Sequence, residues 1–178
     1  MKTYIALFRG INVGGRNTLP MADLRAVLED LGAGSVKTYI QSGNAVFRHE
    51  TDDASQLSES IRAAVEESRG FAPKVLLLSR DELQAAFAGN PFPEAEESPK
   101  SLHLFFLASA PESPDLESLK EVRRDSERFV LKEAVFYLHA PQGIGRSKLA
   151  ARVERALGVA VTARNWRTVG KVLSMASQ

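Results

Sequence analysis

The sequence predicts an α+β protein built from two tandem ferredoxin-like β-α-β-β-α-β halves, with an extra helix between them and a C-terminal helix. Three observations lead to this prediction. Short β-rich apolar runs alternate with segments whose apolar residues recur every three or four positions. The order of these segments is the same in both halves of the chain. With 178 residues, of which 44% are hydrophobic, the chain can bury about 70% of its unfolded surface, and it therefore needs no covalent staples.

The first half is predicted to hold four strands and two helices. Pro20 opens the first helix, which ends at Gly32, and Asp53 caps the second, which ends at Gly70. The inward faces of the two helices carry Met21, Leu24, Val27, Leu28 and Leu31, and Leu57, Ile61, Ala64 and Val65. The predicted strands are residues 3–9, 36–40, 44–48 and 74–78, and residues 10–19 form a polar, glycine-rich loop after the first of them.

The strands of this half give two further signals. Ser42 and Gly43, between the second and third strands, predict a two-residue hairpin. Both alternating sets of side chains in the first strand are apolar, namely Tyr4, Ala6 and Phe8 against Ile5 and Leu7. Each sheet is therefore expected to be covered on both faces.

A short helix and a connector separate the halves. Ser79 and Glu82 form a capping box before a helix that carries Leu83, Ala86 and Phe87. Residues 90–100 contain three prolines and three glutamates, which indicate a solvated connector. The predicted domain organisation is a first half with its connecting helix at residues 1–89, a connector at 90–101, and a second half with the C-terminal helix at 102–178.

The second half repeats the order of the first, without identity at the level of single residues. Ser113 and Pro114 open its first helix, a second helix covers Lys148–Leu157, and Asn165 caps the C-terminal helix. The predicted strands are residues 102–108, 128–132, 134–139 and 159–163. The predicted inward residues of the helices are Leu116, Leu119 and Val122, then Leu149, Val153 and Leu157, then Trp166, Val169, Val172 and Leu173.

Composition excludes several kinds of site. There are no cysteines, so disulfides, thiolate metal sites and cysteine nucleophiles are excluded. The three histidines, His49, His103 and His139, have no metal-ligand spacing, so no metal is implied and the sequence identifies no cofactor. The apolar run near the N-terminus is too short for a signal peptide, and no run approaches the length of a membrane span. We therefore expect a cytoplasmic protein without membrane association.

The charge is unevenly distributed along the chain. The whole sequence has a formal net charge of +1, but the residues from Arg146 onward include seven basic side chains and one acid, Glu154. This segment has a net charge of +6, and the first 145 residues therefore have a net charge of −5. An anionic partner should prefer the C-terminal end.

Two motifs are expected to meet at one end of the first sheet. Right-handed crossovers place the loop after the first strand and the hairpin between the second and third strands at the same end. Glycines allow backbone N–H groups to approach a ligand, and arginines beside them suit an oxyanion. The alternative is that the glycines only supply positive φ and the asparagines only fix loop backbone. The candidate ligand-binding residues of this cluster are Arg9, Asn12, Gly14, Gly15, Gln41, Ser42 and Asn44.

A second cluster is expected at the opposite end of the second sheet. There the glycine-rich turn at residues 143–148 leads into a helix, and the last strand ends at the same edge, as does His139. A helix N-terminus with basic residues nearby can bind an anion. The alternative is that Ser147 is an ordinary N-cap and the arginines form a solvated surface. The candidate ligand-binding residues are Gly145, Arg146, Ser147, Lys148, Arg164 and Asn165.

Neither cluster identifies a reaction. The glycine spacings match neither a P-loop nor a dinucleotide fingerprint. Ser147 and Lys148 are adjacent and do not face each other on a helix, and His139 has no identifiable nucleophile. The catalytic residues, if the protein is an enzyme, are unknown from the sequence.

Four segments of the chain resemble a known protein family. Residues 4–15, 20–25, 38–44 and 162–166 closely resemble the bacterial family known as domain of unknown function 1697, and the resemblance extends over essentially the whole chain. It implies an α+β fold and no established activity, substrate or cofactor, so the motif residues are signature positions only. Ala163 stands where many members are expected to have threonine.

Three functions remain open at this point. We favour binding of, or action on, a small anionic or phosphorylated ligand at the glycine-rich loops. The alternative is a nucleic-acid-binding module that uses the basic C-terminal segment, although the third strand lacks the basic-Gly-aromatic run of RNA-recognition domains. A third hypothesis is a structural or oligomeric scaffold without a ligand; the sequence does not indicate the oligomeric state.

Overall fold

The computed structural model describes residues 1–178 and contains eight strands and six α-helices in the predicted order. The chain divides into two compact units, which are Met1–Ala85 with Lys171–Gln178, and Ala86–Gly170. The domain limits drawn from the sequence, at residues 1–89, 90–101 and 102–178, stay a prediction. None of the helices combines the length and apolar character needed to cross a bilayer.

The first unit contains a four-stranded antiparallel sheet with the order β2-β3-β1-β4. Its core lies between this sheet and the helices α1 and α2, and includes Phe8, Leu24, Phe47 and Ile61. The strands are β1 (Lys2–Arg9), β2 (Gly34–Tyr39), β3 (Asn44–His49) and β4 (Lys74–Ser79), and the helices are α1 (Met21–Asp30), α2 (Ala54–Arg69) and α3 (Arg80–Ala88).

The second unit repeats this topology, with the sheet order β6-β7-β5-β8 and antiparallel pairing throughout. Its core includes Phe105, Leu119, Phe136 and Leu149. The strands are β5 (Leu102–Leu107), β6 (Arg128–Lys132), β7 (Val135–His139) and β8 (Val161–Asn165), and the helices are α4 (Leu116–Val122), α5 (Lys148–Leu157) and α6 (Trp166–Ala176). The predicted fold of two tandem ferredoxin-like halves is therefore confirmed.

Several local signals also work as the sequence predicts. Asp53 caps α2 by accepting a hydrogen bond from the Gln56 N–H at 2.9 Å, and Gly70 ends that helix in the left-handed conformation. The capping box before α3 is present, because Ser79 and Glu82 exchange hydrogen bonds of 2.7 and 3.1 Å. The central strands β1 and β5 are buried on both faces, as their apolar patterns indicate.

The two-residue hairpin predicted in the first half is wrong. Tyr39 pairs with Asn44, so the turn between β2 and β3 has four residues. Ile40 and Gly43 both have positive φ, of 50° and 89°, and the Gly43 N–H donates to the Ile40 carbonyl at 3.3 Å. The side-chain amide of Asn44 stabilises this wider turn, because its Nδ2 donates to the Tyr39 carbonyl at 2.9 Å.

Two boundaries in the second half also differ from the prediction. The helix expected at Ser113-Pro114 begins at Leu116, because Asp115 provides a stronger cap by accepting from the Ser118 N–H at 3.1 Å. The last strand covers Val161–Asn165 rather than residues 159–163, since pairing with β5 fixes it there.

The predicted connector is more structured than its composition indicates. Pro93–Glu97 form a 3₁₀ helix, in which Ala95 is buried and Glu94, Glu96 and Glu97 are exposed. Phe92, which precedes it, is buried as well. Only the charged side of this segment is solvated.

Candidate functional site

The two motifs of the first half meet at one end of their sheet, as predicted. Asn12 connects them, because its Nδ2 donates to the Gln41 carbonyl at 2.8 Å and to the Leu19 carbonyl at 2.9 Å. Its Oδ1 accepts from the Leu19 N–H at 2.8 Å. The amide of Asn12 is therefore engaged in fixing the backbone of both loops.

The glycine pair of this cluster forms the tip of a small exposed turn. Gly14 and Gly15 have φ of 58° and 73°, and the Arg16 N–H donates to the Val13 carbonyl at 3.0 Å, which is the pattern of a type I′ turn. A Cβ atom on either glycine would meet nothing within 4 Å. Both glycines are thus required by the backbone conformation and not by the approach of another group.

The second motif of this cluster is closely packed. Asn44 is fully buried, and its Nδ2 also lies 3.2 Å from the Ser42 Oγ. A Cβ on Gly43 would lie 2.6 Å from the Ile11 Cδ1 and 2.7 Å from the Phe8 Cβ, so no larger residue fits there. These contacts explain the signature residues of the first half by packing and turn geometry.

The pairing register brings the second cluster to the opposite end of its own sheet. Leu102 at the start of β5 pairs with His139 at the end of β7, and His103 pairs with Asn165 at the end of β8. The loop at residues 140–147 leaves this edge and leads into α5. The predicted arrangement of the strand ends is confirmed.

Ser147 is fully engaged at the N-terminus of α5. Its Oγ accepts from the Ala150 N–H at 3.0 Å and donates to the Glu127 Oε2 at 2.5 Å. Glu127 is only 1% exposed, and its Oε1 accepts from the Arg124 N–H at 2.9 Å. An anion bound at this helix terminus would lie beside the buried carboxylate of Glu127, so the geometry favours another place for a ligand.

Arg124 fixes the loop before α5 from outside. Its Nη1 donates to the Gln142 Oε1 at 3.2 Å, and its Nη2 donates to the Arg146 carbonyl at 3.0 Å. Within the loop, the Gly143 N–H donates to the Ala140 carbonyl at 2.8 Å. The loop is therefore held in one conformation from both sides.

Arg164 and Asn165, the remaining predicted residues, serve the backbone at the end of β8. Arg164 Nη1 donates to the Ala163 carbonyl at 2.8 Å, and burial lowers the pKa of this guanidinium to about 10. The side chain is thus still protonated at neutral pH. Asn165 caps α6, as predicted, by accepting from the Thr168 N–H at 2.9 Å.

A groove of about 490 Å³ opens at this same edge of the second sheet. Lys100 and Arg167 provide two exposed cations, and neither takes part in an ion pair. The rest of the lining consists of the hydroxyl-bearing Ser98 and Ser101, the rings of Pro99 and Pro141, and Gly143. This lining combines positive charge, hydroxyl groups and apolar walls.

Sequence reasoning placed a site at this edge but missed most of the groove. Only Gly143 belongs to the predicted glycine-rich turn, whereas Gly145, Arg146, Ser147 and Lys148 do not line the cavity. Residues 98–101 immediately precede β5, whose first residue pairs with the end of β7. That register, applied to the segment before β5, is the signal that could have identified them.

A second cavity, of about 310 Å³, is lined by Lys120, Arg123, Arg128 and Phe129. Its cations are partly neutralised, because Lys120 pairs with Glu117 at 2.9 Å and Arg128 pairs with Glu94. It is therefore a weaker candidate for an anionic ligand than the groove.

His139 belongs to a small polar cluster beside this cavity. Its Nδ1 accepts from the Arg128 Nη2 at 3.0 Å, and Arg128 also lies over the Phe92 ring, 4.7 Å from the centroid. Burial, and then the charge of Arg128, lower the pKa of His139. The neutral imidazole thus serves as an acceptor for Arg128. No three acidic or histidine side chains lie close enough together to hold a metal ion.

The chain matches the family described as "Protein of unknown function (DUF1697)" over residues 1–137, and it belongs to that family. It is also similar to a solved structure described as that of the conserved bacterial protein SP0830 from Streptococcus pneumoniae. That similarity has a TM-score of 0.73 with 25% sequence identity, and it covers 98% of each chain. Among the curated proteins, none matches this chain.

Proposed function

We propose that this member of the DUF1697 family binds a small anionic ligand in the groove of its second half. The observation that supports the proposal is the pair of exposed, unpaired cations, Lys100 and Arg167, on a cavity of about 490 Å³. Cavities of roughly 300–1,000 Å³ with a few convergent polar groups are typical of small-molecule sites.

The lining indicates the class of ligand. Arg167 can bind a phosphate or carboxylate with two parallel hydrogen bonds, and Lys100 adds a point charge. The Ser101 Oγ donates to the Ser98 carbonyl at 2.7 Å, which leaves its lone pairs as acceptors for a ligand hydroxyl. Pro99 and Pro141 offer apolar surface to the body of the ligand. A phosphorylated or carboxylated metabolite with some apolar surface fits this combination.

The anchored loop supports the same proposal. Arg124 and Glu127 hold residues 140–147 in place through hydrogen bonds to the Arg146 carbonyl and to Ser147. A wall that is ordered before binding reduces the entropy lost when the ligand binds. The lining contains no carboxylate, histidine or other general base. The proposed function is therefore binding, with no reaction assigned.

A thermal-shift panel of nucleotides, sugar phosphates and organic acids at millimolar concentration tests the proposal. A ligand present at 100 times its Kd should stabilise the fold by about 2.7 kcal/mol. The variants Lys100→Ala and Arg167→Ala should each remove most of this stabilisation, and Ser98→Trp should block the groove. Lys171→Ala is a matched control, because Lys171 is exposed on the same helix as Arg167 but does not line the groove.

The outcomes separate clearly. If no compound in the panel raises the melting temperature, or if the groove variants respond to a stabilising ligand as the unmodified protein and Lys171→Ala do, the groove is not the site and the proposal is abandoned.

A further inference from the structure

The outward face of α5 carries a row of basic side chains. Lys148, Arg152 and Arg155 follow one another at intervals of four and three residues, so they lie on one face of the helix. All three are exposed, as is Arg146 just before the helix. From Lys148 to Arg155 the row extends about 10 Å along the helix axis.

The charge of this row is not neutralised within the protein. None of Arg146, Lys148, Arg152 and Arg155 forms an ion pair. Glu154 is the one acid of the helix, and its Oε2 accepts from the Val161 N–H at 3.0 Å, so this carboxylate is directed to the start of β8. The exposed face of α5 is therefore uniformly positive.

The neighbouring turn extends the positive surface. Arg124 lies after α4, and its guanidinium donates only to neutral oxygens, those of the Gln142 side chain and the Arg146 backbone. The acids of this turn are Asp125, which is exposed, and Glu127, which is buried against Ser147. One exposed carboxylate thus accompanies five exposed or half-exposed cations.

Helix stability does not account for the row. The positive end of the helix dipole lies at the N-terminus, where acids stabilise a helix and cations destabilise it. Lys148 occupies the first position of α5, and the first turn contains no acid. Only Arg155, in the last turn, has the position that the dipole favours.

We propose that the exposed face of α5, together with Arg146, binds the phosphodiester backbone of a nucleic acid without reading its base sequence. One strand of a duplex presents a phosphate about every 3.4 Å along the axis, so about three phosphates face a 10 Å row of cations. Arginine and lysine contacts of this kind fix a protein on the polymer but carry no sequence information.

The rest of the second half favours this partner over two others. The large hydrophobic residues that are exposed, Met1, Val13 and Ile40, are all in the first half, so α5 has no apolar face to insert into a membrane. The helix carries no aromatic residue on which a base could stack. A charge-to-phosphate interaction without base readout is what these residues can provide.

The proposal predicts a definite salt dependence. Four cations that each release a counterion give a slope of about −3.6 for log Kobs against log salt on duplex DNA, and about −2.8 on single strands. The affinity for a duplex should fall by about 100-fold between 50 and 200 mM salt. Two duplexes of unrelated sequence should bind with the same affinity.

Fluorescence anisotropy with labelled duplexes measures these quantities on the full chain. Each of Lys148→Ala, Arg152→Ala and Arg155→Ala should weaken binding and reduce the salt slope by about 1. The triple variant Lys148→Glu, Arg152→Glu, Arg155→Glu should abolish binding, with circular dichroism to show that it is folded. Arg62→Ala is the matched control, because Arg62 lies on the exposed side of α2 but is paired with Glu59 and Glu66.

Groove variants separate this proposal from the proposed function. Lys100→Ala and Arg167→Ala should leave the duplex affinity within twofold of the unmodified protein, because the α5 row involves different residues. The inference is overturned by any of three results. These are no association at 50 mM salt, equal binding by the α5 variants, and equal or tighter binding to polyglutamate or to phosphatidylserine vesicles under the same conditions.

Discussion

Helices α2 and α5 occupy the same position in the two halves and are built with the same signals, yet their surfaces differ. Each is capped by a side chain, Asp53 or Ser147, and each ends at a left-handed glycine, Gly70 or Gly158. On α2, Arg62 bonds to Glu59 at 3.0 Å and to Glu66 at 3.2 Å, so opposite charges alternate. On α5 the exposed charges are all positive.

This difference teaches which positions the fold constrains. The caps, the helix ends and the buried faces recur because the β-α-β-β-α-β topology requires them in both halves. The exposed face is not needed for folding, so its charge can be set by a partner. A solvated helix gains a few tenths of a kcal/mol from each ion pair of the α2 type, and α5 does without that gain.

The interiors of the two halves differ at one equivalent position. Tyr4 pairs with Ser79, the last residue of β4, and His103 pairs with Asn165, the last residue of β8. The Tyr4 hydroxyl donates to the Thr51 carbonyl at 2.7 Å, whereas the His103 Nδ1 is buried without a partner. Burial lowers the pKa of His103 from 6.5 to about 4.

His103 should make the second half the acid-sensitive one. Because the unfolded chain takes up a proton near pH 6.5 and the folded chain only near pH 4, the unfolded state binds more protons between these values. Stability is therefore fully present above pH 6.5 and decreases as the pH falls. At 1.36 kcal/mol for each pKa unit, the loss is about 3 kcal/mol.

Urea unfolding of the unmodified protein and of His103→Leu, at pH 7 and pH 4, measures this loss. At pH 7 the variant should be as stable as the unmodified protein or more so, since it removes an unpaired buried polar atom. At pH 4 it should retain about 3 kcal/mol that the unmodified protein loses. Parallel acid limbs for the two proteins would show that His103 is not the sensitive group.

The two caps should also differ in their contributions to stability. Ser147→Ala removes the cap of α5 and takes a donor from the buried Glu127, so it should cost about 2 kcal/mol. Asp53→Ala removes only an exposed cap and should cost about 1 kcal/mol. Chemical denaturation compares the two, and Ser147→Thr, which keeps a hydroxyl, should lose less than Ser147→Ala. Equal losses for the two alanine variants would mean that Glu127 does not depend on Ser147.

Much of the fold could be predicted from the sequence because its signals are local. The glycine that ends α2 and the capping box at Ser79 depend on residues a few positions apart. The four-residue turn before β3 could not be predicted, because it depends on the buried amide of Asn44 and on the packing of Gly43 against Phe8 and Ile11. Those contacts exist only once the strands have paired.

The candidate site was predictable only in its location. The order of the elements places the ends of β7 and β8 at one edge, and the register confirms that placement. Glu127, which holds the Ser147 cap, has no distinguishing pattern in the sequence, because its role depends on a contact across 20 positions of chain. Lys100 and Arg167 join one groove only because the segments before β5 and after β8 reach that same edge.

The smallest expected effect tests most directly whether the surface of α5 is set by a partner. Lys148→Glu places an acid in the first turn of α5 and four residues before Arg152, an arrangement that favours the helix dipole and an ion pair. The buried carboxylate of Glu127 opposes part of this gain, so the stability should rise by only about 0.5 kcal/mol.

The same change should weaken association with duplex DNA, because it reverses one charge of the row. Denaturation and anisotropy on one preparation measure both quantities, and Lys148→Gln should give an intermediate result in each. A helix that becomes more stable while its binding weakens would mean that Lys148 serves a partner at the expense of the fold. If the substitution instead destabilises α5 and leaves association unchanged, the contrast between α2 and α5 is structural.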